Sequence, residues 1–372
     1  MISFSGRYSK KVTSIFVFIF LICLIHSIGS GGILRPDVSE AGGIPEAVAL
    51  VDNSNPGIQT AIAAQGRHTD ILLGEPGVIG TAVGLTEHGK PAILVLVTSF
   101  NEAKAATIPS DIEGIPVIVK ITGKIVALKK PPWAGGGGGD TENVDPTSRF
   151  DRPVPIGVST GHPAITAGTI GARVTDGVNV YALSNNHVYA NENNAILGDN
   201  VLQPGTFDGG TSPADDIGTL SDFENIVFST SASNVIDAAI AISSEASLGN
   251  ATPSNGYGTP KSTTVAPTLN AAVKKYGRTT GQTKGRITGI NATVNVGYST
   301  GVARFVNQII IEPGGFSAGG DSGSLIVMDG KGKNKAANLK PVGLLFAGSS
   351  FVTIANPIDA VLSRFGVTID GN

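Results

Sequence analysis

The sequence predicts a mainly β protein with a small α/β unit ahead of it, on three observations. Glycine is abundant, 50 of 372 residues, while charged residues make up 15% and hydrophobic ones 41%. That balance suits many short buried strands joined by tight turns rather than a disordered chain. The apolar runs are brief and bounded by glycine, proline, asparagine and aspartate, as strands are. Helix-like spacing is limited to residues 47–64, a short piece at 101–107 and a segment after Pro357. A net charge of −3 offers no basic surface for nucleic acid or acidic lipid.

Residues 1–31 read as a signal peptide. Arg7, Lys10 and Lys11 precede a mostly apolar run over 12–28, and Ser27, Gly29 and Gly31 stand at spacings that suit a signal peptidase. The run is short for a membrane span. A secreted or periplasmic protein is therefore expected, with no stable membrane association after removal of the signal; an uncleaved leader acting as an anchor is the alternative. Cys23, the single cysteine, lies inside this leader, so the exported chain would rest on its core rather than on disulfides.

Residues 32–129 read as a small α/β domain, either a pro-domain or a docking module. Asn55-Pro56 interrupts the alanine-rich stretch, which predicts two helical pieces. Strands are expected at 78–85, 92–97, 115–120 and 124–128, and His68 and His88 fall in polar loop settings. Residues 130–152 form a linker by composition, stiff at Pro131-Pro132 and flexible at the five glycines 135–139. Trp133 within it reads equally as an anchor or as an exposed aromatic.

The unit 153–372 carries the chemistry. Gly319-Gly320-Asp321-Ser322-Gly323-Ser324 precedes the apolar Leu325-Ile326-Val327. Glycines around a serine permit backbone angles that let the Gly320 and Ser322 amides converge on one point. A serine nucleophile needs such donors and a base. His187 ends the apolar strand Tyr181-Ala182-Leu183-Ser184, and Asp237 lies in the run Val235-Ile236-Asp237-Ala238-Ala239-Ile240. A carboxylate there is costly unless a charged or hydrogen-bonding group meets it, and His187 is the candidate. Asp215 and Asp216, the rival acids, follow a Gly/Ser/Pro loop and look solvent-facing. Residues 275–287 form a glycine-punctuated hairpin containing Arg278, for which a structural place is expected. Asn356 is expected to cap the final helix, opened by Pro357.

With His187, Asp237 and Ser322 in that order, residues 155–365 resemble the trypsin/chymotrypsin-like serine endopeptidases of the bacterial secreted type, in LSNNH, DAAIA and GDSG. The resemblance implies a double six-stranded β-barrel following the small α/β sandwich. It implies that Ser322 attacks, His187 accepts the proton, Asp237 orients the imidazole, and the Gly320 and Ser322 amides hold the oxyanion. Substrates would be proteins or peptides, not nucleic acid, and neither metal nor organic cofactor is required. The pocket floor would be Phe316 and its wall Gly348, which disfavours cleavage after Lys or Arg and favours small or modest apolar side chains.

Two departures stand out. Phe346 occupies the place where family members often have a serine supporting the aspartate, a task Ser184 is expected to share. Asp321 lacks the freed N-terminal amine that pairs with it in the family, and Ile156-Gly157-Val158 is only an echo of one. A catalytically silent trypsin-like protein acting as a binding or scaffold module is therefore the alternative. An α/β-hydrolase esterase fails on chain order, since that fold places serine first.

Overall fold

A computed structural model describes residues 50–128 and 144–372. The expected signal peptide, Trp133 and the glycine run lie outside the described residues. The chain is mainly β, as the composition predicts. Among the described residues no helix is long and apolar enough to cross a membrane.

In the first unit, Asn55 does not interrupt a helix but starts one. Its side chain accepts from the Gly57 and Ile58 amides, with Pro56 in the first turn, and a single helix α1 (Pro56–Leu73) follows. Its buried face includes Ile58, Ala61, Ala64 and Leu72. Next come β1 (Val78–Leu85), β2 (Pro91–Val97), the short α2 (Phe100–Ala105), β3 (Asp111–Ile112), β4 (Ile115–Ile121) and β5 (Val126–Ala127). β1 and β2 are antiparallel, β4 runs parallel to β2, and β3 pairs with β4. His68 lies on α1 rather than in a loop, 3.1 Å from Glu113.

The next segment holds β6 (Ser159–Thr160), β7 (Gly168–Thr169), β8 (Ala172–Thr175), β9 (Val180–Ser184), the single turn α3 (Asn186–Tyr189), β10 (Asn200–Leu202), β11 (Asp216–Phe223) and β12 (Ala239–Ser243). The β8–β9 turn is made by Asp176, whose carboxylate accepts the Val178 and Asn179 amides at 2.8 and 2.7 Å. The second half holds β13 (Ala272–Gly277), β14 (Gly281–Gly297), β15 (Val302–Glu312), β16 (Leu325–Met328), β17 (Pro341–Gly348), β18 (Thr353–Pro357), α4 (Ile358–Phe365) and β19 (Thr368–Ile369).

Pairing makes two barrels. The first is the sheet β10-β11-β12-β9-β8-β19, and Gly161, just past β6, bridges Leu202 at its far edge. In the second, β13-β16-β17-β18-β15-β14 closes into a ring because β14 pairs back onto β13. An apolar seam of Ala172, Leu183, Ile236, Ile240, Leu325, Leu344 and Val361 joins the two. Each such large side chain contributes about 1.5–3 kcal/mol on full burial. Asn356 does not cap α4; it is buried, and its amide donates to Gln308 at 2.8 Å.

The first unit shares a sheet with the second barrel. β1 pairs antiparallel with β14, Gly80 opposite Val294 and Thr81 opposite Thr293. Gln65 on α1 donates to the Asn291 carbonyl at 3.0 Å and accepts from the Asn291 side chain at 2.8 Å. Gly80 allows this approach, since a Cβ there would lie 2.7 Å from the Thr293 carbonyl oxygen. Gly80→Val is therefore expected to destabilise the protein by about 1–3 kcal/mol, with protease sensitivity rising first in residues 50–128. Thermal unfolding combined with limited proteolysis measures both.

Candidate active site

β9 delivers Asn185 and His187 to the seam, and β12 pairs with β9 so that Ala239 faces Ser184, which brings Asp237 alongside. Asn185 fixes the backbone there, donating to the Asp237 carbonyl at 2.7 Å. The Asp237 carboxylate accepts the His187 amide at 3.2 Å and lies 2.6 Å from Nδ1 of the same residue. Both side chains are fully buried. Facing that oxygen, Nδ1 carries the ring proton and Nε2 is left as the acceptor.

A further donor comes from Tyr298, which sequence reasoning missed. Its hydroxyl donates to Asp237 Oδ2 at 2.8 Å, and its ring stands edge-on to His187 with centroids 6.0 Å apart. Burial, then the Asp237 charge, push the Tyr298 pKa well above its ordinary value, so the hydroxyl remains a donor. Tyr298 sits in the turn between β14 and β15. That turn is tied to the first barrel by Glu192, whose carboxylate accepts the Ser299 and Thr300 amides at 3.2 and 2.8 Å. Ser184, expected to support Asp237, instead donates to the Thr169 carbonyl at 2.8 Å. Nothing local in Tyr298-Ser299-Thr300-Gly301 signals the contact.

The rival acids lie elsewhere. Asp215 is buried rather than solvent-facing, gripped by Arg149 at 2.6 and 2.9 Å and by the Thr211 amide. Asp216 accepts from Ser212. Arg278 is structural: buried, it pairs through two nitrogens with Asp208. Among the described residues no three His, Cys, Asp or Glu side chains gather as a metal site.

Ser322 sits between Gly320 and Gly323, whose φ of +100° and +96° are angles that favour glycine. Its hydroxyl donates to the Phe346 carbonyl at 3.1 Å, and His187 Nε2 is buried with no hydrogen-bond partner among the described residues. Asp321 is satisfied without a chain terminus. It accepts the Thr279, Thr280 and Ala318 amides and the Thr280 hydroxyl, with the Lys275 ammonium 3.4 Å away. Burial pushes the Lys275 pKa down, and Asp321 opposes that shift.

The cleft beside Ser322 is filled by the chain itself. Residues 124–128 were expected as a strand of the first unit; β5 leaves that sheet and pairs antiparallel with β17, Ala127 opposite Ala347 and Val126 opposite Gly348. The Leu128 amide donates to the Phe346 carbonyl at 3.2 Å, and the Gly320 amide donates to the Leu128 carbonyl at 2.6 Å. The side chain of Leu128 joins the apolar cluster that contains Phe316, and its Cδ1 lies 3.3 Å from where a Cβ on Gly348 would be. Gly348 and Gly320 thus lie against one leucine, Ser322 donates to the same Phe346 carbonyl that this leucine's amide does, and Phe316 belongs to the same apolar cluster.

Three measurements probe the buried charged groups in and beyond this site. Lys275→Met leaves Asp321 without a countercharge and is expected to cost about 3–5 kcal/mol in denaturant unfolding. Tyr298→Phe removes one donor from a buried carboxylate, with an expected loss of about 1–3 kcal/mol in the same assay. Arg149 holds the Asp215 pKa down at about 2. A depressed carboxylate stabilises the fold fully above its unfolded value, near 3.9, and that contribution is lost as pH falls through about 2. Arg149→Ala should therefore move the onset of acid unfolding to higher pH, read by circular dichroism.

No protein-family model matches the chain, and no curated protein matches it. Among solved structures, a glutamic acid specific serine protease is 22% identical with a TM-score of 0.41, over 58% of this chain and 100% of its own. Thermobifida fusca Protease A is 19% identical with a TM-score of 0.41, over 59% of this chain and 99% of its own. An alpha-lytic protease homolog, N4, is 18% identical with a TM-score of 0.41, over 58% and 98%. Each of these matches spans 58–59% of this chain at 18–22% identity.

Proposed function

We propose that the protein is an exported serine endopeptidase acting on proteins or peptides through Ser322, His187 and Asp237. The observation that carries this reading is the peptide strand in the cleft, whose Leu128 carbonyl rests on the Gly320 amide next to a serine. Donors placed at the oxygen of a peptide carbonyl stabilise the charge that grows there when a nucleophile adds.

The chemistry follows from the positions. Ser322 Oγ turns from the Phe346 carbonyl to His187 Nε2, gives up its proton and adds to the carbonyl carbon. Asp237 holds the imidazole in the tautomer that can accept that proton and stabilises the imidazolium. Tyr298 keeps Asp237 oriented, the task that Phe346 cannot perform. His187 then protonates the leaving amine, and water hydrolyses the acyl-enzyme by the same route in reverse. No step uses a metal or an organic cofactor. The basic and apolar leader at 1–31 supports export. In this reading residues 32–129 act as a pro-domain: β1 docks on β14 and β5 with Leu128 occupies the cleft, which keeps the enzyme closed.

A fluorophosphonate reagent tests the reading on the full chain. A single adduct is expected by intact mass, absent in Ser322→Ala and His187→Ala, and forming faster in Leu128→Asp, whose charge is rejected by the apolar pocket. No adduct in either the wild type or Leu128→Asp, both folded, would sink the proposal in favour of a silent binding protein.

A further inference from the structure

The residue that fills the cleft also identifies what the cleft selects. Building on the endopeptidase reading, we infer that the site cleaves on the C-terminal side of leucine and that the bond following Leu128 of this chain is itself a substrate.

Register carries the first step. The attacked carbonyl is the one on the Gly320 amide, and that is Leu128. Its position is held at several further points. The Leu128 amide is on Phe346, β5 is paired with β17, the Gly297 amide donates to the Ile125 carbonyl at 3.0 Å, and Ser349 Oγ donates to the Thr122 carbonyl at 2.5 Å. A slip of one residue would turn every side chain to the opposite face. No neighbouring residue can therefore exchange places with Leu128 while these bonds persist.

Shape and polarity carry the second step. Leu128 is only 8% exposed. Phe316, in the same apolar cluster, is held in place: its ring lies 2.9 Å from where a Cβ on Gly285 would be, and its carbonyl accepts from Thr283 at 2.6 Å. Gly348 leaves the wall open to Leu128 Cδ1, whereas a Cβ there would meet that atom at 3.3 Å and the Val352 carbonyl oxygen at 2.8 Å. A lysine or glutamate side chain would lose its hydration on entering this apolar cluster. Three residues upstream, Ile125 is 2% exposed in a cluster with Phe346, Ala347 and Val352, a second apolar subsite. Between them Val126 is 45% exposed, so its position selects little.

Applied to the chain itself, Ser322 Oγ bonds to the Leu128 carbonyl carbon and its proton passes to His187. The C–N bond after Leu128 breaks, and that proton goes to the departing amine. Water then adds to the ester, gives one proton to His187 and through it to Ser322 Oγ as the C–O bond to Ser322 breaks, and the resulting acid releases the second proton to solvent, leaving Leu128 as a carboxylate in the cleft. The product is a two-piece complex still joined through β1 and β14.

The test uses the full chain, followed by intact mass and N-terminal sequencing, beside Ser322→Ala and Leu128→Lys and with fluorophosphonate labelling in parallel. A cut after Leu128 in the wild type, absent in Ser322→Ala and at least about 10-fold slower in Leu128→Lys, is expected. Labelling of Ser322 with cuts at other sites, or with Leu128→Lys cut as fast as the wild type, overturns the leucine assignment and leaves the endopeptidase reading standing. Neither label nor cut overturns both. Chromogenic peptides Ile-Val-Ala-X with X as Leu, Ala, Phe, Lys or Glu give an independent reading should Leu128→Lys fold poorly. Leucine is expected to have the highest kcat/KM, and a preference for Lys or Glu overturns the inference.

Discussion

A carboxylate buried in an apolar seam must be met by donors, and the arrangement of this molecule can be followed outward from how Asp237 meets that demand. His187 supplies its backbone amide and its ring, both from the end of β9. Tyr298 supplies a hydroxyl from the β14–β15 turn of the other barrel. The Asp237 amide itself is taken by Asn356, at the end of β18. One aspartate thus ties β9, β14, β15 and β18 together, so the barrels cannot drift apart without stranding a charge. Glu192 repeats the device a few residues along, gripping the turn that carries Tyr298.

The first unit uses the same turn-bearing hairpin. β1 extends the sheet through β14, Val126 lies beside Gly297, and the tail continues to Gly320. Docking and occupation of the cleft are therefore one continuous surface. The β14–β15 hairpin presents an edge to the first unit and a tyrosine to Asp237 at once.

What could be read from the sequence follows the range of the interactions. His187, Asp237 and Ser322 stand out because each is a polar residue set against an apolar run, a local contradiction visible without coordinates. Phe316 and Gly348 came by resemblance; Leu128 lies against Gly348 and shares an apolar cluster with Phe316. Tyr298, Glu192 and Leu128 left no such trace, because their partners lie far along the chain and each looks ordinary among its neighbours. Asn356 and Asn55 show the opposite error. Asn-Pro occurs at both, and the local pattern alone does not tell a helix start from a strand end; the partner decides. Asn55 faces the free amides of α1, and Asn356 faces Gln308.

β19 adds a matter of timing. Thr368 and Ile369 complete the sheet of the first barrel by pairing with β8, and Arg173 clasps Asp370 at 2.6 Å. In order of synthesis β8 to β12 come well before this sixth strand, and the whole second barrel lies in the interval. The first barrel must wait with an open edge, and long-range closures of this kind slow folding. Throughout that wait the first unit, translated earliest and rich in local contacts, is already available beside the nascent β14 edge. Order of synthesis therefore favours its arrival before the barrels have closed.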